Sequence, residues 1–226
     1  MDNKFWTHEN EAVELTLEWA KERTVSGSDP KTTALSAREL KEKVGQTITD
    51  DGLGPKQALE VFEVLNKATR SADDPMNFAY IPSAPTKAAV AFDEVVSAAN
   101  VFGGIWECGA GAIFAENQVI DWLKENLSWP KDAIGTFVSG GTYGNLSALA
   151  CARDHAKNVW KEKGIYANGR PDDGYKLIIS KDTHSSVKTI AKVLDVDVLT
   201  AETDEAGRMT GQSVEKLIEE NDGIFA

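Results

Sequence analysis

The chain has 226 residues, of which 42% are hydrophobic and 27% are charged, and it carries a formal net charge of −12. This length and composition suffice for one large domain, or for one domain with a smaller segment, around a substantial apolar core. The acidic balance, with no cluster of Lys and Arg, argues against binding to nucleic acid or to an anionic membrane surface.

The sequence carries no pattern typical of export or membrane insertion. Its first 15 residues lack a basic stretch followed by an apolar run, and no window approaches the apolar length of a membrane span. We therefore expect a cytoplasmic protein. The two cysteines, Cys108 and Cys151, have no CxxC or CxxH spacing, so we expect reduced, packed thiols and no metal site.

The first part of the chain is rich in helix signals. An amphipathic helix is predicted over residues 8–24, with apolar residues on one stripe. Ser36 and Glu39 have the spacing of a capping box that opens a second helix, and Pro55 signals the start of a third. We interpret residues 1–75 as a helical N-terminal segment.

The remainder of the chain, residues 76–226, predicts strands that alternate with helices. The predicted strands are residues 136–138, 176–180 and 196–200, and the predicted helices are residues 86–102, 115–127, 185–194 and 213–221, with a glycine-rich loop at residues 103–111. This order favours βαβ units, in which helices cover a parallel sheet and ligands bind beyond the carboxyl ends of the strands. We therefore predict an α/β domain over residues 76–226.

Paired glycines join the predicted strand 136–138 to a long helix. Gly140 and Gly141 allow the backbone to bend and to approach a ligand closely. The first amides of that helix, near residues 142–145, would have no partner within the helix and would lie at the positive end of its dipole. A phosphate suits this position, although such turns also occur without a ligand. The spacing matches neither a P-loop nor the GxGxxG dinucleotide fingerprint.

A second polar cluster, Asp182–Ser186, follows the predicted strand 176–180. His184 would therefore lie at the carboxyl end of a strand, where its imidazole could cover a flat ring or carry a proton. The same cluster could instead only cap a surface helix, because Ser, Thr and Asp are favoured at N-caps. This segment alone leaves both interpretations open.

Several segments from Phe78 to the end of the chain form a recognisable series. They are FAYIPS at residues 78–83, Trp106, Glu116, Asp121-Trp122-Leu123, GGTYGNLSAL at residues 140–149 and THSSVKTIAK at residues 183–192. Taken in this order, they resemble the pyridoxal-phosphate-dependent decarboxylases of the group that includes aromatic amino acid and glutamate decarboxylases. The segment at residues 107–114 departs from the family's usual residues, which leaves the identity of the substrate open.

The resemblance implies a fold-type I PLP-dependent transferase-like large domain with three α/β/α layers and a mostly parallel sheet, truncated here and preceded by the helical segment. It also implies a homodimer when the protein is complete, with active sites at the interface. Pyridoxal 5′-phosphate (PLP) is the implied cofactor and an amino acid the implied substrate. The implied site residues are Gly141 and Thr142 at the cofactor phosphate, His184 stacked on its ring, and Tyr80, Ile81, Pro82 and Ser83 on the substrate side.

The implied activity is that of an amino-acid decarboxylase, a carboxy-lyase of amino acid metabolism. In this family the chemistry uses a lysine that forms a Schiff base with the cofactor and an aspartate that pairs with the pyridine nitrogen, and both are expected beyond Ala226. Residues 223–226 look like the opening of a further core strand, so we expect a truncated sequence that is inactive alone. We expect Lys181 and Lys188 to be solvated rather than reactive. Two alternatives stay open: another fold-type I enzyme (aminotransferase, aldolase or lyase), and a non-catalytic truncated partner subunit.

Overall fold

The computed structural model describes residues 9–28, 34–81 and 83–226. The chain divides into two compact units, Met1–Ala112 and Ile113–Ala226. Our sequence-based boundary between residues 75 and 76 stays a prediction. Of the helices in the described ranges, none combines the length and the hydropathy needed to cross a bilayer.

The first unit is helical, and its second, third and fourth helices begin within one residue of the predicted starts, whereas the predicted start of the first helix, residue 8, lies outside the described residues. Its helices are α1 (Glu9–Ser26), α2 (Ala37–Val44), α3 (Gly54–Lys67) and α4 (Lys87–Ala99). The predicted capping box opens α2: the Ser36 hydroxyl accepts the Glu39 amide at 3.3 Å, and the Glu39 carboxylate accepts the Ser36 amide at 2.8 Å. α1 and α3 pack through an edge-to-face contact of Trp19 and Phe62, with ring centroids 4.9 Å apart.

Helix α5 (Trp106–Asn126) corrects our prediction of a glycine-rich loop over residues 103–111. The helix already begins at Trp106 and contains a kink at Gly109, whose φ is −125° and ψ is 27°. A Cβ on Gly109 would lie 2.6 Å from the carbonyl oxygen of Phe102, so only glycine fits there. The prediction was wrong because it treated glycine as a helix breaker, whereas this glycine serves a close backbone approach.

The second unit has the predicted alternation of strands and helices. After the C-terminal part of α5 it contains α6 (Gly141–Glu162), β1 (Tyr175–Ser180), α7 (Ser185–Val193), β2 (Val196–Ala201) and α8 (Gly211–Glu220). β1 and β2 pair in parallel, with Tyr175 opposite Val196. On the other edge of β1, residues 223–226 also pair in parallel: the Lys176 amide donates to Gly223 at 2.8 Å, and the Phe225 amide donates to Lys176 at 3.0 Å. β1 is therefore the inner strand of the described sheet.

Alternate residues of β1 form the core of the second unit. Tyr175, Leu177 and Ile179 are buried, as the period of two in a strand requires when one face is covered. They pack with Ala191 of α7, and Leu149 of α6 contacts the same cluster. This core fixes α6 and α7 against the strand that they flank.

The predicted strand at residues 136–138 is not formed. The segment is not assigned to a strand, and the Phe137 amide donates to the carboxylate of Glu116 at 2.7 Å instead. High β-propensity alone does not make a strand, because a strand also requires a neighbouring strand. None pairs with it within the described ranges.

Both cysteines also differ from the prediction. Cys108 and Cys151 are free thiols, but each is exposed rather than packed. Sequence spacing indicated that they do not pair, whereas burial depends on tertiary contacts that spacing does not encode.

Candidate functional site

Helix α6 begins at the paired glycines and presents free donors. Gly140 is the N-cap residue, with φ 126° and ψ 164°, and no side chain of the described chain caps this end. The first intrahelical bond joins the Gly144 amide to the Gly140 carbonyl at 3.1 Å, so the amides of Gly141, Thr142 and Tyr143 precede it. All three residues are exposed. These amides and the positive end of the helix dipole favour an anion at this position.

The space beside this turn is open to a ligand. A Cβ added to Gly141 would meet no atom within 4 Å. The Gly140 amide donates back to the Val138 carbonyl at 2.8 Å, which closes a tight turn before the helix. The positive φ of Gly140 is a conformation that other residues rarely adopt. Glycine is therefore required at position 140 by the backbone, and at position 141 the structure leaves room for a bound group.

His184 is the N-cap residue of α7, and its ring is held by the residue two positions on. Its Nδ1 accepts the Ser186 amide at 3.2 Å and lies 2.8 Å from the Ser186 hydroxyl. Because Nδ1 accepts an N–H, the proton of the neutral ring belongs on Nε2. The imidazole is exposed but fixed in orientation by these two contacts. The helix-capping and ring-covering interpretations of His184 are thus compatible.

Ser186 connects the starts of α6 and α7. It is only 6% exposed, and its hydroxyl accepts a hydrogen bond from the Asn145 side-chain amide at 3.2 Å. Asn145 lies in the first turns of α6, next to the free amides of Gly141 and Thr142. A directed chain of hydrogen bonds therefore runs from Asn145 through Ser186 to His184. It unites the two clusters that the sequence presents 41 residues apart.

A cavity of about 410 Å³ adjoins these hydrogen-bonded residues near the carboxyl end of β1. Asn145, Ser180 and Thr183 supply its polar lining, and Leu149 and Val187 are among its apolar lining residues. A mostly apolar cavity with a few convergent polar groups is typical of small-molecule sites. It lies along the carboxyl-terminal half of a parallel strand, next to the region beyond the strand ends where ligands bind in α/β sheets.

Glu116 of α5 contacts the segment that leads into α6. Its Oε1 accepts the Phe137 amide at 2.7 Å and the Thr136 hydroxyl at 2.9 Å. These hydrogen bonds, the one from the Phe137 amide first, lower the pKa of the Glu116 carboxyl below its usual value. Glu116 is therefore ionised at neutral pH and holds the backbone of this segment.

The predicted substrate-side residues belong to the first unit. Tyr80 and Ile81 have positive φ values of 65° and 50° and are 94% and 99% exposed. A β-branched residue in the left-handed region is strained, which is uncommon outside functional or tightly constrained segments. Ser83 is also exposed, and Pro82 lies outside the described residues. The role of this segment stays a prediction.

The sequence analysis missed the side chains of Asn145 and Ser186 as connecting groups. The sequence marks Asn145 only as part of a helix start and Ser186 only as part of a polar cluster. No spacing rule links residues this far apart on different helices. Lys181 and Lys188, in contrast, are exposed as we expected.

Comparison with known proteins identifies the family. A family model described as the pyridoxal-dependent decarboxylase conserved domain matches residues 49–224. An aromatic-L-amino-acid decarboxylase of Bacillus atrophaeus is 33% identical over 199 residues, which cover 86% of this chain and 39% of that protein. An L-2,4-diaminobutyrate decarboxylase of Acinetobacter baumannii is 26% identical over 224 residues, which cover 92% of this chain and 42% of that protein. The chain thus spans about two fifths of these relatives.

Solved structures share the fold. The crystal structure of mouse CSAD matches with a TM-score of 0.77 and 23% identity, over 95% of this chain and 46% of that one. Oryza sativa TDC, solved with PLP and tryptamine, matches with a TM-score of 0.71 and 17% identity, over 97% of this chain and 46% of that one. The predicted fold class is confirmed by these likenesses. From the family match over residues 49–224, the chain belongs to the pyridoxal-dependent decarboxylase family.

Proposed function

We propose that the full-length protein is a PLP-dependent amino-acid decarboxylase, and that this chain supplies the phosphate and ring contacts of its cofactor site. One observation carries the proposal: the hydrogen bonds from Asn145 through Ser186 to His184. They connect the start of α6, where we propose that the phosphate binds, to the His184 imidazole. Family membership supports the choice of PLP, which has both a phosphate and a flat ring.

Gly141 and Thr142 fit the cofactor phosphate. A phosphate dianion is well satisfied by main-chain amides at a helix start, without a cationic side chain. The Thr142 hydroxyl makes no hydrogen bond to any residue that the structure describes, so it is free to donate to the same anion. This accounts for an anion site in a chain whose net charge is −12.

His184 fits the cofactor ring. An imidazole whose orientation is fixed at Nδ1 can lie flat on an electron-poor pyridine ring and hold it in one plane. Bound there, PLP would supply an electron sink for the Cα of the amino acid, which is the chemistry that loss of the carboxylate as carbon dioxide requires. The chain's own contribution is to orient the cofactor and, through the cavity beside β1, to keep one side of the site apolar.

The remaining features of the proposal rest on the family resemblance. We propose that Tyr80, Ile81, Pro82 and Ser83 line the amino-acid side of the site, and that the Schiff-base lysine and the pyridine-binding aspartate lie outside this chain. We also propose that the full-length protein is a cytoplasmic homodimer. The chain's coverage of about two fifths of its relatives is consistent with a catalytic site completed by further residues.

The test is carbon dioxide release by the full-length protein. Wild-type protein with PLP is assayed against L-amino acids, including aromatic ones and L-2,4-diaminobutyrate, and the amine product is identified. We expect PLP-dependent release of carbon dioxide from at least one of them. Amino-group transfer to a 2-oxo acid without carbon dioxide would instead favour another reaction of the fold, and absence of PLP binding would refute the proposal.

Variants connect that activity to the site. His184→Ala should raise the Kd for PLP roughly five- to tenfold, because it removes an aromatic stacking contact. Lys188→Ala, a matched change at an exposed position on α7, should leave the Kd unchanged. Equal affinities of the two variants would show that His184 does not contact the cofactor.

A further inference from the structure

One face of α5 supports the segment that precedes α6. Glu116, Ile120 and Lys124 lie four residues apart, so they share one side of the helix, and we call them the α5 stripe. The segment formed by residues 131–137 runs along this stripe in the opposite direction to the helix. Each member of the stripe contacts a different part of the segment.

Lys124 and Ile120 hold the beginning and the middle of the segment. The Lys124 ammonium donates to the carbonyls of Lys131 and Ala133, both at 3.0 Å. Gly135 packs beside Ile120, since a Cβ there would lie 3.5 Å from Ile120 Cγ2. The Lys124 cation therefore binds carbonyl oxygens, which are acceptors, at the start of the segment.

Glu116 holds the end of the segment. Its carboxylate accepts the Phe137 amide at 2.7 Å and the Thr136 hydroxyl at 2.9 Å. The Phe137 amide has no strand partner in the described part of the chain, so the carboxylate takes the place of a sheet neighbour. Lys124, at one end of the α5 stripe, thus satisfies backbone carbonyls, and Glu116, at the other end, satisfies a backbone amide.

Phe137, whose amide Glu116 holds, lies shortly before the Gly140 turn that opens α6. Val138 follows Phe137, and its carbonyl accepts the Gly140 amide at 2.8 Å. The Val138 side chain also approaches the first turn of α6, because a Cβ on Gly144 would lie 3.6 Å from Val138 Cγ2. Phe137 is therefore joined through Val138 to the turn that presents the free amides.

We propose that Glu116 is a positioning residue for the cofactor phosphate. By fixing residues 136 and 137, its carboxylate sets where the Gly140 turn presents the amides of Gly141 and Thr142. This inference rests on the proposed function, which places the phosphate at those amides. Glu116 itself does not contact the cofactor, and it acts only through the backbone that it holds.

The test compares three variants of the full-length protein by PLP titration. Glu116→Ala removes the acceptor and should raise the Kd for PLP about tenfold. Glu116→Gln keeps an oxygen that can accept both hydrogen bonds, so it should restore the Kd to within about threefold of wild type. Glu125→Ala, an exposed position on the same helix, should leave the Kd unchanged.

Hydrogen exchange separates positioning from general loss of structure. In Glu116→Ala, faster exchange should be confined to a peptide spanning residues 134–145, and β1 and α7 should stay protected. If Glu116→Ala does not fold, Thr136→Val removes one of the two hydrogen bonds at constant shape and should raise the Kd about threefold.

The outcomes distinguish this inference from the proposed function. If wild-type protein binds no PLP, both fail. If wild type binds PLP and Glu116→Ala binds it as tightly as Glu125→Ala does, only the role of Glu116 is refuted. Failure of Glu116→Gln to restore the affinity lost in Glu116→Ala would also refute the role of Glu116. The lost affinity for PLP would then not come from the loss of a hydrogen-bond acceptor that positions residues 136 and 137.

Discussion

Replacing Ser186 with alanine removes one hydroxyl from the hydrogen-bond chain between α6 and α7. The residue is 6% exposed, and the change breaks the contact to His184 at 2.8 Å and the bond from Asn145 at 3.2 Å. Asn145 is exposed and can bind water instead, and His184 Nδ1 keeps the Ser186 amide. Since an intramolecular hydrogen bond contributes about 1 kcal/mol net, we expect the free energy of unfolding to fall by about 1 to 2 kcal/mol.

The assay is urea denaturation of the full-length protein together with PLP titration. Ser185→Ala is the matched control, because Ser185 is the exposed neighbour in the same helix turn and reports the gain in helix propensity from serine to alanine. Relative to that control, Ser186→Ala should also raise the Kd for PLP roughly threefold, since the His184 ring loses one of its two restraints.

A double-mutant cycle isolates the connection between the helices. With Asn145→Ala as the second change, the coupling free energy should be about 0.5 to 1 kcal/mol, because the two side chains are in direct contact. If Ser186→Ala matched Ser185→Ala in both stability and PLP affinity, the hydrogen-bond chain would have no role in joining the site.

Three further predictions concern other parts of the molecule. Gly140→Ala should lower the free energy of unfolding by about 1 to 3 kcal/mol, because φ 126° with ψ 164° strains any residue with a Cβ, and unchanged urea stability would contradict this. Borohydride trapping of the PLP-bound protein should label neither Lys181 nor Lys188, both exposed, and a labelled peptide containing either one would refute their assignment as solvated. The hydrogen bond from Arg23 lowers the pKa of Asp73, so this carboxylate stabilises the fold above its unfolded-state pKa and loses that contribution as pH falls through its lower folded-state pKa. Urea midpoints measured from about pH 5 to about pH 3 should therefore fall more steeply for wild type than for Asp73→Asn.

Local signals were sufficient for most of the elements. β1 was predicted because its short apolar run, which includes Leu177 and Ile179, has the composition of an inner strand of a sheet. The capping box at Ser36 and Glu39 was predicted because both of its hydrogen bonds lie within four residues. The helix start at Gly141 was predicted from its glycine pair for the same reason.

Features that depend on distant contacts were not predictable from the sequence. The unpaired segment at residues 136–138 was assigned to a strand because propensity describes a residue and not its neighbour. The hydrogen bond between Asn145 and Ser186 joins residues on different helices, which pack together around the core that contains Leu177. The contact of Glu116 with Phe137 depends likewise on how the chain returns along α5.

A crystal structure of the full-length protein with PLP tests the central claim most directly. The account predicts the phosphate within hydrogen-bond distance of the Gly141 and Thr142 amides, with the His184 imidazole lying on the pyridine ring. PLP bound in a different cavity, with the start of α6 occupied only by water, would contradict it.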